Sequence, residues 1–114
     1  MTGLELATAV SLELPLTVVV FRNGIWGSIA LHQDRLIGRR TGIDLPKVSF
    51  VALARSLGAL GIVAEAPRDV APALREAMAY RGPALVEIPT DALRPSPSSY
   101  IDAPFEIAEI SAIS

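Results

Sequence analysis

Three short aliphatic runs, separated by stretches with helical periodicity, constrain the fold of this chain more than any other feature. The first run, Leu16–Phe21, is β-branched and does not alternate with polar residues, which is typical of a parallel strand covered on both faces. Ile62–Ala64 and Ala84–Ile88 read as two further strands. Because strands that alternate with helices are joined by right-handed crossovers, we expect an α/β fold with a mostly parallel sheet flanked by helices.

The stretches between the strands carry the helix signals. The first helix has polar residues three apart and apolar residues around most of its circumference, so it is predicted to be buried on nearly every side. Ser49 and Asp69 are the predicted N-caps of the last two helices, each of which ends near a glycine. The predicted helices are Leu4–Leu14, Ile29–Ile37, Phe50–Leu57 and Val70–Met78, and a polar loop is expected over Gly38–Lys47.

The composition excludes several classes of function. The net charge is −2 and the basic residues are scattered, so no basic surface for nucleic acid is expected. The longest apolar run is far shorter than the roughly 18 residues of a membrane helix, so no membrane partner is expected. With no cysteine and one histidine there is no thiolate or histidine metal site. The start of the sequence lacks a secretory signal, which predicts a cytoplasmic protein.

The length and the distribution of prolines predict the domain organisation. A chain of 114 residues has room for one core, and its 51% hydrophobic content indicates that some apolar surface meets a partner. After Pro89 the composition changes to alternating proline and serine. We therefore predict a folded domain over residues 1–91, followed by a linker and C-terminal tail over residues 92–114.

The segment Phe21–Gly27 is the strongest candidate for a functional site. It places Asn23, Gly24 and Gly27 at the carboxyl end of a predicted strand, where α/β folds usually bind ligands. Asn23 offers an oxygen of the kind Mg²⁺ prefers, and the glycines let the backbone turn and approach phosphate oxygens. An Asn-Gly pair after a strand is also the signature of an ordinary tight turn, so this segment alone does not decide between the two.

A set of separated motifs gives the segment a context. In order and spacing they resemble the C-terminal cofactor domain of thiamine-diphosphate (ThDP) enzymes of the acetolactate-synthase-like group, and the resemblance covers about residues 1 to 91. Thus a partial ThDP-binding fold is implied. The motifs are Glu5-Leu6-Ala7-Thr8-Ala9, Leu14-Pro15-Leu16, Asn23-Gly24, Trp26-Gly27, Asp44-Leu45-Pro46, Phe50–Ala54, Leu57-Gly58 and Gly82–Pro89.

This resemblance implies thiamine diphosphate and Mg²⁺ as cofactors and assigns roles to the turn. The side chain of Asn23 and the backbone carbonyl of Ile25 are the implied metal ligands. Gly24, Ile25, Trp26 and Gly27 are the implied diphosphate-binding residues. The family pattern has Asn at the position of Arg22, so the neighbour of the metal ligand differs in size and charge.

The resemblance also implies that the chain is inactive alone. In the family a Gly-Asp-Gly precedes the first of these motifs, which places it before Met1 and suggests an N-terminally truncated domain. A glutamate from another domain activates the cofactor there, so no catalytic residue is assigned in this chain. The intact relatives make or cleave a carbon–carbon bond, typically on a 2-oxo acid.

Three other interpretations remain open at the level of sequence. The chain is expected to be a homo-oligomer or a subunit of a larger ThDP enzyme, and it could instead be a non-catalytic interaction module that docks through its apolar first helix. It could also be an α/β domain of another family that binds a nucleotide or phosphate. A gene fragment derived from a ThDP enzyme is the last alternative.

Overall fold

The structure is a computed structural model that describes residues 3–92. Residues 3–23 and 46–90 form one compact unit, and residues 24–45 belong to a second unit. The predicted α/β class is confirmed, because three parallel strands form one sheet with helices packed on it. The strands are β1 (Thr17–Arg22), β2 (Leu60–Val63) and β3 (Ala84–Pro89), and the helices are α1 (Glu5–Ser11), α2 (Gly27–Leu36), α3 (Phe50–Ser56) and α4 (Pro67–Ala79).

The sheet has the strand order β1-β3-β2, so the last strand in the chain is central. Its register pairs Val86 with Val19 of β1 and with Ile62 of β2. Because all three strands run in the same direction, their carboxyl ends meet at one edge of the sheet. β3 is buried at its first four residues, as a strand between two neighbours and two helical layers should be.

Two apolar clusters lie on the two faces of the sheet. On one face Leu6, Val51 and Ala54 pack with Leu85, and half-buried Val18 and Val20 of β1 join them. On the other face α4 contributes Ala73 and Ala77 to a cluster with Val86 and Ala84. Alternate residues of β3 thus point to opposite layers, with α1 and α3 on one side and α4 on the other.

A close approach of α3 to β2 depends on Gly61. A Cβ at this position would lie 2.9 Å from both Cγ1 and the carbonyl oxygen of Val51. Real Cβ atoms do not make such contacts, and the backbone oxygen cannot rotate away as a side-chain tip can. The helix therefore packs on the strand at a distance that only glycine permits.

The helix boundaries confirm one predicted cap and correct the other. The Ser49 hydroxyl accepts a hydrogen bond from the Ala52 N–H at 3.1 Å, as an N-cap does, and Gly58 follows α3 with a φ of +91°. Asp69 is not the N-cap of α4, because Pro67 begins the helix one turn earlier. The Asp69 carboxylate instead lies in the first turn and accepts from the Ala66 N–H at 3.0 Å.

The predicted burial of the first two elements is wrong in part. α1 buries Leu6 and Ala9 but leaves Leu4 70% exposed. β1 is an edge strand, and Phe21 is 69% exposed although its sequence suggested cover on both faces. An aliphatic run shows that a segment can be buried. How much of it is buried depends on how many strands and helices pack against it.

Two further expectations concern the C-terminal tail and the absence of a membrane-spanning helix. Most of the predicted linker and tail, residues 92–114, lies outside the described residues, so the boundary at residue 91 stays a prediction. None of the helices within residues 3–92 has the length and apolar character that a membrane crossing requires.

Candidate functional site

The turn that follows β1 begins at the carboxyl end of the sheet. Asn23 is the first residue after Arg22, the last residue of the strand. Gly24 comes next with a φ of +74°, in the left-handed region that non-glycine residues rarely adopt. A Cβ on Gly24 would meet nothing within 4 Å, so backbone conformation rather than crowding calls for glycine here. The sequence-based expectation of a sharp turn at this point is confirmed.

A short antiparallel bridge between Ile25 and Asp44 holds the next part of the segment. The Trp26 N–H donates to the Ile43 carbonyl at 2.8 Å, and the Leu45 N–H donates to the Gly24 carbonyl at 3.0 Å. In this bridge pattern the flanking residues make the hydrogen bonds, so the N–H and carbonyl of Ile25 point away from the opposing segment.

Trp26 and Gly27 lie at the start of α2. Trp26 is the N-cap residue and is 50% exposed, and Gly27 is the first residue of the helix. The first N–H groups of an α-helix have no partners within the helix and carry partial positive charge. The structure therefore places the last two predicted residues where a helix begins.

Farther along this unit, Asp34 and Arg40 form an exposed ion pair. The Arg40 Nε lies 2.8 Å from one carboxylate oxygen of Asp34, and Arg40 Nη2 lies 2.5 Å from the other. Hydrogen bonding from Arg40 lowers the pKa of Asp34 from its ordinary value, and the pKa of Arg40 is raised by the same contact. The Gln33 side chain bonds both the N–H and the carbonyl of Thr41, which fastens the loop to α2.

Sequence analysis did not single out Glu87, the buried carboxylate of the central strand. Glu87 is only 3% exposed, and one of its carboxylate oxygens lies 2.5 Å from the Nε of Arg22. Its other oxygen accepts from the N–H groups of Phe50 and Val51 at the start of α3. A charged residue inside an otherwise aliphatic run is the signal that could have identified it, because buried carboxylates need partners.

Some ligand types of a metal–diphosphate site are present among the described residues. Asn23 has an amide oxygen, which is a ligand type found around Mg²⁺, and Gly24 follows it with a positive φ. Within residues 3–92 there is no group of three or more histidine, cysteine, aspartate or glutamate side chains placed to hold a metal.

Comparison with known proteins identifies the family. Residues 1–88 match the family described as "Thiamine pyrophosphate enzyme, C-terminal TPP binding domain". The chain belongs to this family. Among its relatives is an acetolactate synthase of Bacillus subtilis (strain 168), 31% identical over 90 residues that cover 79% of this chain and 16% of the relative. A sulfoacetaldehyde acetyltransferase of Castellaniella defragrans is 39% identical over 75 residues, covering 65% of this chain and 12% of the relative.

The fold agrees with this assignment. A benzoylformate decarboxylase from Polynucleobacter necessarius has a similar structure, with a TM-score of 0.70 and 25% sequence identity over 80% of this chain and 18% of the other. The predicted resemblance to acetolactate synthases and other ThDP enzymes is confirmed, and thiamine diphosphate is the cofactor that this family indicates. The chain spans less than a fifth of the length of these relatives.

Proposed function

We propose that this chain is the part of a ThDP enzyme that holds the diphosphate and metal end of the cofactor. Asn23 would give its amide oxygen to Mg²⁺, and Ile25 would give its backbone carbonyl. Gly24, Trp26 and Gly27 would line the diphosphate. The observation that carries the proposal is the Asn23-Gly24 turn with its positive φ at the carboxyl end of β1, in a chain of this family.

We also propose a substrate class for the intact enzyme, on the basis of the relatives. An acetolactate synthase and benzoylformate decarboxylases act beside a carbonyl group, so we expect the intact enzyme to make or break a carbon–carbon bond on a 2-oxo acid. Bound thiamine diphosphate supplies stabilisation of a carbanion, and the protein supplies orientation and proton transfer. The residues of this chain would orient the cofactor, and we propose that the 114 residues alone do not turn over substrate.

Thermal unfolding with and without thiamine diphosphate and Mg²⁺ tests the cofactor role. A ligand that binds only the folded state at about one hundred times its dissociation constant adds about 2.7 kcal/mol to the free energy of unfolding. In a domain of this size that raises Tm by about 10 °C or more. Asn23→Ala should remove most of this shift, because it deletes the metal-binding oxygen.

A matched control is available at Gln33, the other carboxamide side chain in the sequence. Gln33→Ala should keep the shift, since its amide bonds Thr41 rather than a ligand. A wild-type chain whose Tm does not respond to the cofactor would refute the binding role. A shift that persists in Asn23→Ala would refute the role of Asn23 as ligand.

A second candidate function, a subunit interface, is favoured by the open face of β1. A groove of about 370 Å³ lies between this strand and the end of α4, and its lining is largely apolar. Phe21 continues the same face of the strand and is mostly exposed. Exposed apolar patches of this kind commonly mark interfaces. The groove is lined by Pro15, Thr17, Val19, Leu74, Ala77, Met78 and Tyr80.

We propose a second copy of this chain as the occupant, and sedimentation measures it directly. Met78 is 76% exposed on the groove, so Met78→Glu should leave the fold intact and shift a dimer toward monomer. Glu76→Lys changes a nearby exposed charge as a control. A wild-type chain that sediments as a monomer at high concentration would exclude the self-association.

A further inference from the structure

Glu87 uses both of its carboxylate oxygens at the carboxyl end of the sheet. Oε1 accepts from the Arg22 Nε at 2.5 Å, and Oε2 accepts from the Phe50 and Val51 N–H groups at 3.0 and 3.2 Å. The side chain therefore ties the last residue of β1 to the first turn of α3. No buried side-chain nitrogen or oxygen in residues 3–92 lacks a partner, so this network is fully satisfied.

The backbone around Glu87 joins β3 to both neighbouring strands. Its own carbonyl accepts from the Ala64 N–H at 2.9 Å, just after β2, and two residues later β3 pairs with the end of β1. The Arg22 carbonyl accepts from the Thr90 N–H at 2.9 Å. Arg22 is thus held by its side chain and by its backbone, and its carbonyl belongs to the peptide bond that leads into Asn23.

A buried ion pair is weak support for stability by itself. Removing a carboxylate from water costs several kcal/mol, and aliphatic replacements of such pairs are often neutral or stabilising. Breaking one partner, however, leaves an uncompensated charge. The position of Arg22 therefore depends strongly on Glu87. Because Asn23 is the next residue in the chain, its position depends on Glu87 as well.

We propose that Glu87 is a positioning residue for Asn23. Through Arg22 and the first turn of α3 it fixes the end of β1, so that Asn23 is preorganised before any ligand arrives. Its importance for cofactor binding rests on the function proposed above. Arg22, which replaces the Asn of the family pattern, then has a defined task, since its guanidinium is the group that carries the restraint from Glu87.

Amide hydrogen exchange at Thr90, whose N–H donates to the Arg22 carbonyl, is measured by NMR without ligand and tests the restraint itself. Glu87→Gln and Arg22→Met should each speed exchange there by about tenfold or more, because hydrogen bonds to charged groups are lost. Exchange in the double variant should be no faster than in the single variants, since both substitutions break the same contact between Arg22 and Glu87. Arg22→Lys should restore part of the protection, whereas loss of fold stability alone would raise exchange throughout the sheet.

Two features keep this test decisive. Glu87→Gln removes the buried charge and leaves Arg22, whose side chain is 41% exposed, in contact with water, so Glu87→Gln should fold even if Arg22→Met does not. Arg40→Met breaks the exposed pair with Asp34 and serves as the matched control, expected to leave exchange at Thr90 unchanged. Unaltered exchange at Thr90 in folded Glu87→Gln, or effects that add in the double variant, would overturn the proposal.

The cofactor readout uses the fluorescence of Trp26, the one tryptophan in the chain. At fixed thiamine diphosphate, Arg22→Met and Glu87→Gln should need about 10 to 100 times more Mg²⁺ for half-saturation, the usual effect of losing an outer-shell partner. The plateau should stay that of wild type. Equal Mg²⁺ dependence in all variants would overturn the proposal. If wild type does not bind, the proposed function fails, and the exchange result alone decides the role of Glu87.

Discussion

β1 and β3 have similar aliphatic sequences and lie side by side, yet they differ in what surrounds them. β3 is central and its Val86 is fully buried, whereas β1 is an edge strand and its partner Val19 is 39% exposed. One layer of helices covers both strands, but α4 covers β3 and leaves β1 open. The comparison shows that the candidate cofactor turn follows the less supported strand, so its order depends on a few specific contacts.

A matched pair of substitutions tests this difference most severely. Val86→Asp buries a carboxylate without a partner, so it should reduce the free energy of unfolding by more than about 4 kcal/mol or prevent folding. Val19→Asp, directly opposite in the register, should cost about 1 kcal/mol or less in the monomer, where this face of β1 is open. Urea denaturation measures both. Similar losses in the two variants would show that the outer face of β1 is covered in solution.

Two glycines extend the comparison to backbone packing. Gly61→Ala forces a methyl group against the carbonyl oxygen of Val51, and overpacking of this kind should cost about 1 to 3 kcal/mol. Gly24→Ala has open space but a positive φ, so it should cost about 1 kcal/mol. Chemical denaturation of both variants gives the order. If Gly24→Ala proves the more damaging, the turn after β1 is more tightly packed than its surroundings suggest.

The smallest effect is expected at the exposed pair of Asp34 and Arg40, in contrast to the buried pair of Glu87 and Arg22. Because Arg40 lowers the pKa of Asp34, the pair stabilises the fold at pH values above the ordinary carboxyl pKa, and this contribution disappears as pH falls through the lowered value. An NMR titration of Asp34 should show its pKa rise in Arg40→Met. High salt should weaken the difference. A pKa that does not move would mean that the pair is not formed in solution.

The sequence predicted the elements of the fold better than their environment. The β-branched runs and the serine cap of α3 are local signals, and each one was confirmed. The predicted burial of both faces of β1 was wrong, because burial depends on strand order. The predicted N-cap at Asp69 was wrong, because α4 begins at Pro67. The sequence of a single segment determines neither the order of the strands in the sheet nor which of two possible residues begins a helix.

The candidate site shows the same division. The turn at Asn23 was predictable because glycine and asparagine carry their conformational preference in the sequence itself. Glu87 was missed because its partners lie 65 residues away at Arg22 and 37 residues away at Phe50. The register of β1 against β3 brings Arg22 to Glu87, and the packing of α3 on the sheet brings Phe50 there. The resemblance to ThDP enzymes assigned these contacts no role.

The bridge at Ile25 and Asp44 has a consequence for how this fold can change. Its two hydrogen bonds join the ends of the segment from Gly24 to Leu45, so both ends stay in place whatever connects them. Each doubling of a closed loop costs only about 0.6 kcal/mol in chain entropy. Residues 28–42, which lie between the proposed cofactor turn and the second half of the bridge, can therefore be lengthened or replaced while the two hydrogen bonds keep their geometry.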